Sequence, residues 1–371
     1  LDLVVIGTIG DVVPLTASNR ALARAGLERL GRQPRVGLRA LFQRANMVPS
    51  NVTERDISFA LAPRLNAGAR LGEPLTALRL LTTEDVGEAQ RLAARLDALN
   101  QERLRLTDLM MTQARRQAQE QMAQPVTPPL TFVVGDDWPF GVIGLAASKL
   151  SDEFRRPAVV ISRVGEECRG SARGPDGVNL VEALAGRPEM FKRFGGHARA
   201  AGFTVDASDL GALHEWLLAR LSAATTASVD GNGEASVAGR DDARDDGRRE
   251  PTLRVDCRLP LNRLTLETYA LLRELAPFGM SNPEPLFIAQ GVRLMRCWQS
   301  GVEGRNLRLV LRDHGAERVF LWARQGALCA ELRATLPTLP LFDVVYSLDA
   351  YARPDGAFDL TPRIAALRPL R

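Results

Sequence analysis

Two stretches of small residues gather most of the donors that could act together on one anion. They are Gly170-Ser171-Ala172-Arg173, and Arg193-Phe194-Gly195-Gly196-His197 continuing through Arg199 to Gly202. Ser171, Arg173, Arg193, His197 and Arg199 can donate hydrogen bonds, and the glycines and alanines around them let a second backbone approach. That is the composition of a phosphate cradle, read here as a pair of loops. A glycine pair that only turns the chain, beside a surface histidine, would look the same locally.

Two further places could contribute. Ala62-Pro63-Arg64-Leu65-Asn66-Ala67-Gly68-Ala69-Arg70-Leu71-Gly72 reads as a loop-like run carrying two arginines, either solvated or turned toward a ligand. Leu3-Val4-Val5-Ile6 reads as a buried strand that opens into Gly7-Thr8-Ile9-Gly10-Asp11, which places Asp11 in the loop after it.

Stepping along the chain, helical spacing marks 19–30 and 36–45, and another helix begins near Pro74. Thr83 is the expected cap of one long helix to Gln121, with Val86, Ala89, Leu92, Leu96, Leu99, Leu106 and Met110 on its apolar stripe. A helix of that length spans about 55 Å and would act as a strut. Beyond it, strands at 130–134, 158–162 and 201–205 alternate with helices at 142–150, 180–194 and, capped by Ser208, to Leu221, giving an α/β domain. Residues 222–250 hold almost no large apolar side chain and read as a disordered linker. After a strand at 253–258 and a helix at 264–275, strands at 288–298, 307–313, 317–323, 343–351 and 358–365 suggest a small OB-like barrel, with a turn at Pro354-Asp355-Gly356. Trp298, Phe320, Trp322 and Tyr351 are its candidate stacking platforms, though a barrel core would use the same residues.

The composition sets wide bounds. The 371 residues are 45% hydrophobic, enough for two or three cores, and the net charge of +4 fits an anionic partner. Only Lys149 and Lys192 are lysines among 48 basic residues, so the positive charge is nearly all guanidinium, the group suited to bidentate phosphate contacts. Cys168, Cys257, Cys297 and Cys329 lie far apart and read as reduced, buried thiols. With no apolar run of 18 residues and no signal-peptide pattern, a cytoplasmic location is expected.

Six pieces in order carry a family likeness: Gly7 to Leu15, Pro63 to Asn66 with Arg70-Leu71-Gly72, Gly141-Val142-Ile143-Gly144, Gly170 to Arg173, Phe194 to His197 with Ala200-Ala201-Gly202, and Pro277-Phe278-Gly279 with Asn282 to Phe287. Together they are similar to the RecJ family, single-strand-specific 5′-to-3′ DNA exonucleases of the DHH phosphoesterase superfamily. The resemblance implies the end of a DHH domain over 1–82, a connecting helix over 83–124, an α/β DHHA1 domain over 125–221 and an OB-like nucleic-acid-binding domain over 251–371. Asp11 would match the last metal-binding, catalytic aspartate of a two-metal site for Mn²⁺ or Mg²⁺. Arg70, Ser171 and Arg173 would hold a phosphate near the 5′ end, Arg64 and Asn66 would belong to the same nucleic-acid contacts, and Gly195, Gly196 and His197 would line the cleft. Single-stranded DNA is the implied substrate in repair and recombination, with a single-strand-binding protein or a helicase as a candidate partner.

One departure bears on activity. The Asp-His-His motif and the earlier aspartates are absent, and the three histidines are His197, His214 and His314. One aspartate cannot hold two metals. The chain is therefore expected to be truncated at its N-terminus and inactive as a nuclease by itself. A DHH relative that only binds strands, and a phosphoesterase of short oligonucleotides or cyclic dinucleotides, remain as alternatives.

Overall fold

The computed structural model describes residues 1–175, 177–230, 253–338, 340–352 and 358–370. In chain order these form α1 (Asp2–Gly10), α2 (Ala17–Arg32), α3 (Val36–Arg44), α4 (Glu54–Asp56), a π-helical turn (Ile57–Leu61), α5 (Ala62–Arg70), α6 (Pro74–Thr82) and α7 (Val86–Met122). Then follow β1 (Thr131–Asp136), α8 (Phe140–Phe154), β2 (Ala158–Val164), β3 (Glu167–Arg173), α9 (Leu180–Ala185), β4 (Arg193–His197), β5 (Ala200–Asp206) and α10 (Leu210–Asp230). The last part holds β6 (Cys257–Arg258), α11 (Leu266–Arg273), β7 (Phe287–Ser300), β8 (Asn306–Asp313), β9 (Ala316–Trp322), α12 (Cys329–Thr335), β10 (Leu341–Ala352) and β11 (Phe358–Pro369). Among the described residues no helix is long and apolar enough to cross a membrane.

Two compact units divide these elements. One comprises Leu1–Pro34, Met47–Ser58 and the described part of Asp241–Arg371; the other comprises Arg35–Asn46 and the described part of Phe59–Arg240. This division does not follow the linear one, because residues 1–82 are shared between the units.

In the first unit, the N-terminal apolar run is a helix and not the expected strand. Asp2, Val5, Ile6 and Ile9 are its buried residues, an i, i+3, i+4, i+7 stripe that a short all-apolar run conceals. Contact with α2 fixes the choice: a Cβ at Gly26 would come within 2.5 Å of the Val5 Cβ, so only glycine allows the two helices to meet there. The C-terminal strands pair in the order β10-β11-β9-β8-β7, and β10 pairs back to β7, which closes a five-stranded barrel with β6 added beside β7. Leu294, Leu309, Leu311, Phe320, Val344 and Tyr346 fill it. The expected strand at 253–258 shrinks to two residues, and the exposed Cys257 on it corrects the expectation of four buried thiols; all four are free. The turn at 354–356 and the Tyr351 side chain lie outside the described residues.

In the second unit, a five-stranded sheet runs β1-β2-β3-β5-β4, with only the β1–β2 pair parallel. One face, with Phe132, Val159, Ile161, Cys168, Ala172, Ala201, Phe203 and Val205, packs with α9 and α10. The other face meets α7 and α8 through Val133, Ala158 and Val160. The open edge of β1 would expose unpaired backbone groups, and α7 satisfies them: the Gln117 amide exchanges two hydrogen bonds with the Val134 backbone at 2.8 and 3.1 Å, and Gln121 does the same with Phe132.

Several boundaries differ from expectation for identifiable reasons. The run at 62–72 is helical because Pro63 sits in the first turn, where its missing N–H is no loss; Gly72, at φ +89°, follows the end. The cap of α7 is Asp85, whose carboxylate accepts from the Glu88 N–H, while Thr83 bonds the Glu88 side chain, and Val86 is exposed. Gly186 and Pro188 stop α9 nine residues short of the expected Phe194. Ser208 lies inside a 3-10 turn that begins after Asp206, not at a cap. The expected disordered linker starts as helix, since α10 continues through 222–230, where alanine favours propagation; 231–250 lie outside the described residues.

Candidate nucleic-acid interface

Neither small-residue stretch is a loop: Gly170 to Arg173 belongs to β3, and Arg193 to His197 is β4. Small residues serve packing inside the ladder, as at Gly170, where a Cβ would fall 2.0 Å from the Phe203 ring. The register then lines up the functional side chains. Ser171 pairs with Gly202, which pairs with Gly195; Arg173 pairs with Ala200, which pairs with His197. Cross-strand partners share a face, so Ser171, Arg173, Gly195 and His197 stand on one side of the sheet. Gly195, Gly202 and His197 are exposed there, and no atom lies within 4 Å of a Cβ built on Gly195. They form a bare backbone shelf two strands wide, about 4.8 Å per strand. Gly196 points to the opposite face, at φ +145° and with no room for a Cβ against the Ala200 carbonyl, which is why glycine stands there.

Beside the shelf, the first turns of α8 close a pocket over β3. A Cβ on Gly144 would lie 3.1 Å from Arg173 Nη2 and 3.3 Å from Ser171 Oγ. A Cβ on Gly141 would lie only 1.9 Å from the Arg70 carbonyl, so the C-terminus of α5 and the N-terminus of α8 meet backbone to backbone. Arg70 Nη1 donates to the Gly141 carbonyl at 3.0 Å, and Arg173 Nη1 donates to Ser171 Oγ at 2.9 Å and to the Ala172 carbonyl at 2.8 Å. Two glycines one turn apart thus bring Arg70, Ser171, Arg173 and the positive end of α8 together.

The electrostatics of this pocket are one-sided. No ion pair among the described residues involves Arg70, Arg173 or the neighbouring Arg103 of α7. Burial lowers the pKa of Arg70, and burial together with the Arg70 charge lowers those of Arg173 and Arg103, the last partly offset by Asp108. Guanidiniums held so close to one another and short of water favour an anion. Sequence reading missed Arg103. The signal available was a break in the apolar stripe of α7 at Asn100, Arg103 and Thr107.

The other predicted residues have different surroundings. Arg64 donates from Nε to Asp97 at 2.9 Å and from Nη1 to the Ala60 carbonyl at 2.9 Å, so its charge is already paired, while Asn66 is exposed on α5. Asp11 is an exposed C-cap of α1, after a helix and not after a strand, and belongs to the first unit. Among the described residues no three His, Cys, Asp or Glu side chains gather as a metal site, so these residues do not fit a two-metal centre. On the barrel, Phe320 is core and Trp322 packs against it, whereas Trp298 is 37% exposed and pairs across the strands with Arg308.

The chain is also similar to known proteins in sequence and in fold. The DHHA1 domain model matches residues 127–223 and the RecJ OB domain model matches 255–351. The chain is 34% identical over 331 residues to the single-stranded-DNA-specific exonuclease RecJ of Bacillus subtilis, covering 88% of this chain and 39% of that protein. It is 32% identical over 322 residues to the RecJ of Escherichia coli, covering 85% and 52%. The crystal structure of Thermus thermophilus RecJ in complex with Mn²⁺ superposes with a TM-score of 0.75 at 30% identity, over 100% of this chain and 49% of that one. The corresponding Mg²⁺ complex gives 0.74 at 29% identity, over 100% and 52%. The chain spans about half the length, or less, of these relatives. With two family domains in succession and likeness in sequence and fold along nearly all of its length, the chain belongs to the RecJ family.

Proposed function

We propose that this chain is the strand-holding part of a RecJ-type nuclease, a single-strand-specific 5′-to-3′ DNA exonuclease acting in repair and recombination. The observation that carries the reading is the pocket of Arg70, Ser171 and Arg173 under the glycine turns of α8, opening onto the bare shelf of β5 and β4. A terminal phosphate would sit in the pocket between two guanidiniums, the Ser171 hydroxyl and the helix N-terminus. The adjoining nucleotides would cross Gly202 and Gly195, where no side chain stands in the way, and His197 would border that track. On the barrel, Trp298 and Arg308 supply the aromatic face and the cation with which OB-like barrels hold single strands.

The linear division also belongs to this proposal: 1–82 as DHH-related, 83–124 as connecting helix, 125–221 as DHHA1 and 251–371 as OB-like. Mg²⁺ and Mn²⁺ accompany the solved Thermus relative, and Asp11 would be this chain's contribution to such a site. Hydrolysis at two ions asks for more ligands than the described residues bring together. The purified chain is therefore expected to bind strands without shortening them. A single-strand-binding protein or a helicase that delivers free strand fits such a substrate.

Arg70→Ala and Arg173→Ala test the pocket. Each should weaken binding of a 5′-phosphorylated single strand by roughly tenfold, the scale of one hydrogen bond to a charged group, and affect the 5′-hydroxyl strand far less. Equal losses on both strands would remove the terminal phosphate from the pocket.

A further inference from the structure

The buried stripe of α7 changes character at its middle. Ala89, Ala93 and Leu96 lead into Asn100, Arg103 and Thr107, after which Met110, Ala114 and Ala118 resume the apolar pattern. Three consecutive polar positions on the packed side of a helix need partners, and these largely serve one another. Arg103 Nη2 donates to Asn100 Oδ1 at 2.8 Å, and Thr107 Oγ1 donates to the Arg103 carbonyl at 2.7 Å. Asn100 is 4% exposed and Thr107 is 2% exposed, so the guanidinium is held by Asn100 from a position closed to water, while the Thr107 hydroxyl is spent on the helix backbone.

What this arrangement leaves over is a charge and a donor. The Arg103 Nε–H is shut off from solvent and has no hydrogen-bond partner among the described residues. Arg103 stands on α7 between Leu96, which a Cβ on Gly68 of α5 would approach to 3.3 Å, and Met110, which packs with Val142 and Ile143 of α8. Its guanidinium bears the cost of desolvation as well as the repulsion of Arg70, with Asp108 as the weaker opposing influence. As a spacer between helices, a neutral or apolar side chain would avoid all three penalties. An anion beside Arg70 would turn the repulsion into shared attraction.

We propose that Arg103 is the third guanidinium of the phosphate pocket and sets its preference for charge, favouring a doubly charged terminal phosphate monoester over a singly charged diester. This rests on the pocket described above, with Arg103 added to it. The physical basis is that attraction scales with the product of the charges. A third cation therefore adds about twice as much for a dianion as for a monoanion at the same distance. A monoester carries about −1.5 to −2 at neutral pH.

The test uses the purified chain in chelator and three single strands of one sequence, ending in a 5′-phosphate, a 5′-methyl phosphate or a 5′-hydroxyl. Wild type should bind them in that order of decreasing affinity. Arg103→Gln should lose roughly tenfold on the phosphate, about threefold on the methyl phosphate and little on the hydroxyl, with a melting midpoint showing that it is folded. Arg103→Lys keeps the charge without the Nε donor and should retain most of the order; it supplies the same test where the glutamine variant does not fold. If Arg103→Gln loses the same factor on all three strands, or nothing on any, or if Arg103→Lys abolishes the order although the charge is kept, Arg103 is structural. Loss of phosphate preference in Arg70→Ala with full preference kept in Arg103→Gln would overturn the role of Arg103 alone. No preference in wild type would overturn the pocket itself.

Discussion

Two arginines of α5 show how little residue type decides by itself. Arg64 and Arg70 stand six positions apart in one short helix, yet Arg64 is neutralised by Asp97 while Arg70 donates to the Gly141 carbonyl. The difference is set by what each meets across the packing: a carboxylate from α7 or the N-terminal turn of α8. A paired guanidinium props two helices together, and an uncompensated one is available to a phosphate. Arg103 extends the contrast, since its neighbour Asn100 orients it without offsetting its charge.

At the scale of elements, the shelf of β4 and β5 makes a prediction that separates binding from folding. Gly195 has open space above it and no positive φ, so Gly195→Val should keep or slightly raise the melting temperature, as suits a strand position. The added side chain would stand where a strand's backbone should lie, and single-strand affinity should fall by roughly tenfold, about 1.4 kcal/mol. Unchanged affinity would take the shelf out of the binding track. The same elements show how far the sequence could be read. The long helix, the alternation of strands and helices and the five barrel strands were legible from periodicity and residue type. The small-residue strands were not, because glycine and alanine signal loops locally, and the large partner that needs them, Phe203 over Gly170, is known only once the sheet is paired. The N-terminal helix was hidden for a similar reason: its stripe is visible only against α2. Arg103 escaped because one polar position in a 37-residue helix reads as surface until its neighbours at 100 and 107 are found buried as well.

At the scale of the whole molecule, the clearest charge-based contribution to stability is a buried ion pair in the first unit. In the first unit Glu54 is bound through both carboxylate oxygens by Arg273, at 2.6 and 2.8 Å, which ties α4 to α11. Burial alone would raise the Glu54 pKa, but the Arg273 hydrogen bonds and charge outweigh it and hold the carboxyl below its ordinary value. A depressed carboxyl contributes stability above its unfolded pKa, near 4.3, and loses it as pH falls through the folded value. Glu54→Gln, which leaves Arg273 half-buried and unpaired, should cost about 3 kcal/mol at pH 7. The gap from wild type should narrow as the pH is taken below about 4 in denaturant titrations. A constant gap across that range would mean the pair contributes through packing and not through charge.

The most direct measurement of the central claim is the affinity of the purified chain, in chelator, for matched single-stranded and double-stranded oligonucleotides, each with and without a 5′-phosphate. Tightest binding to the phosphorylated single strand is expected, weakened by added salt as counterions compete for the arginines. Equal affinity for phosphorylated and hydroxyl ends, or preference for the duplex, would contradict it.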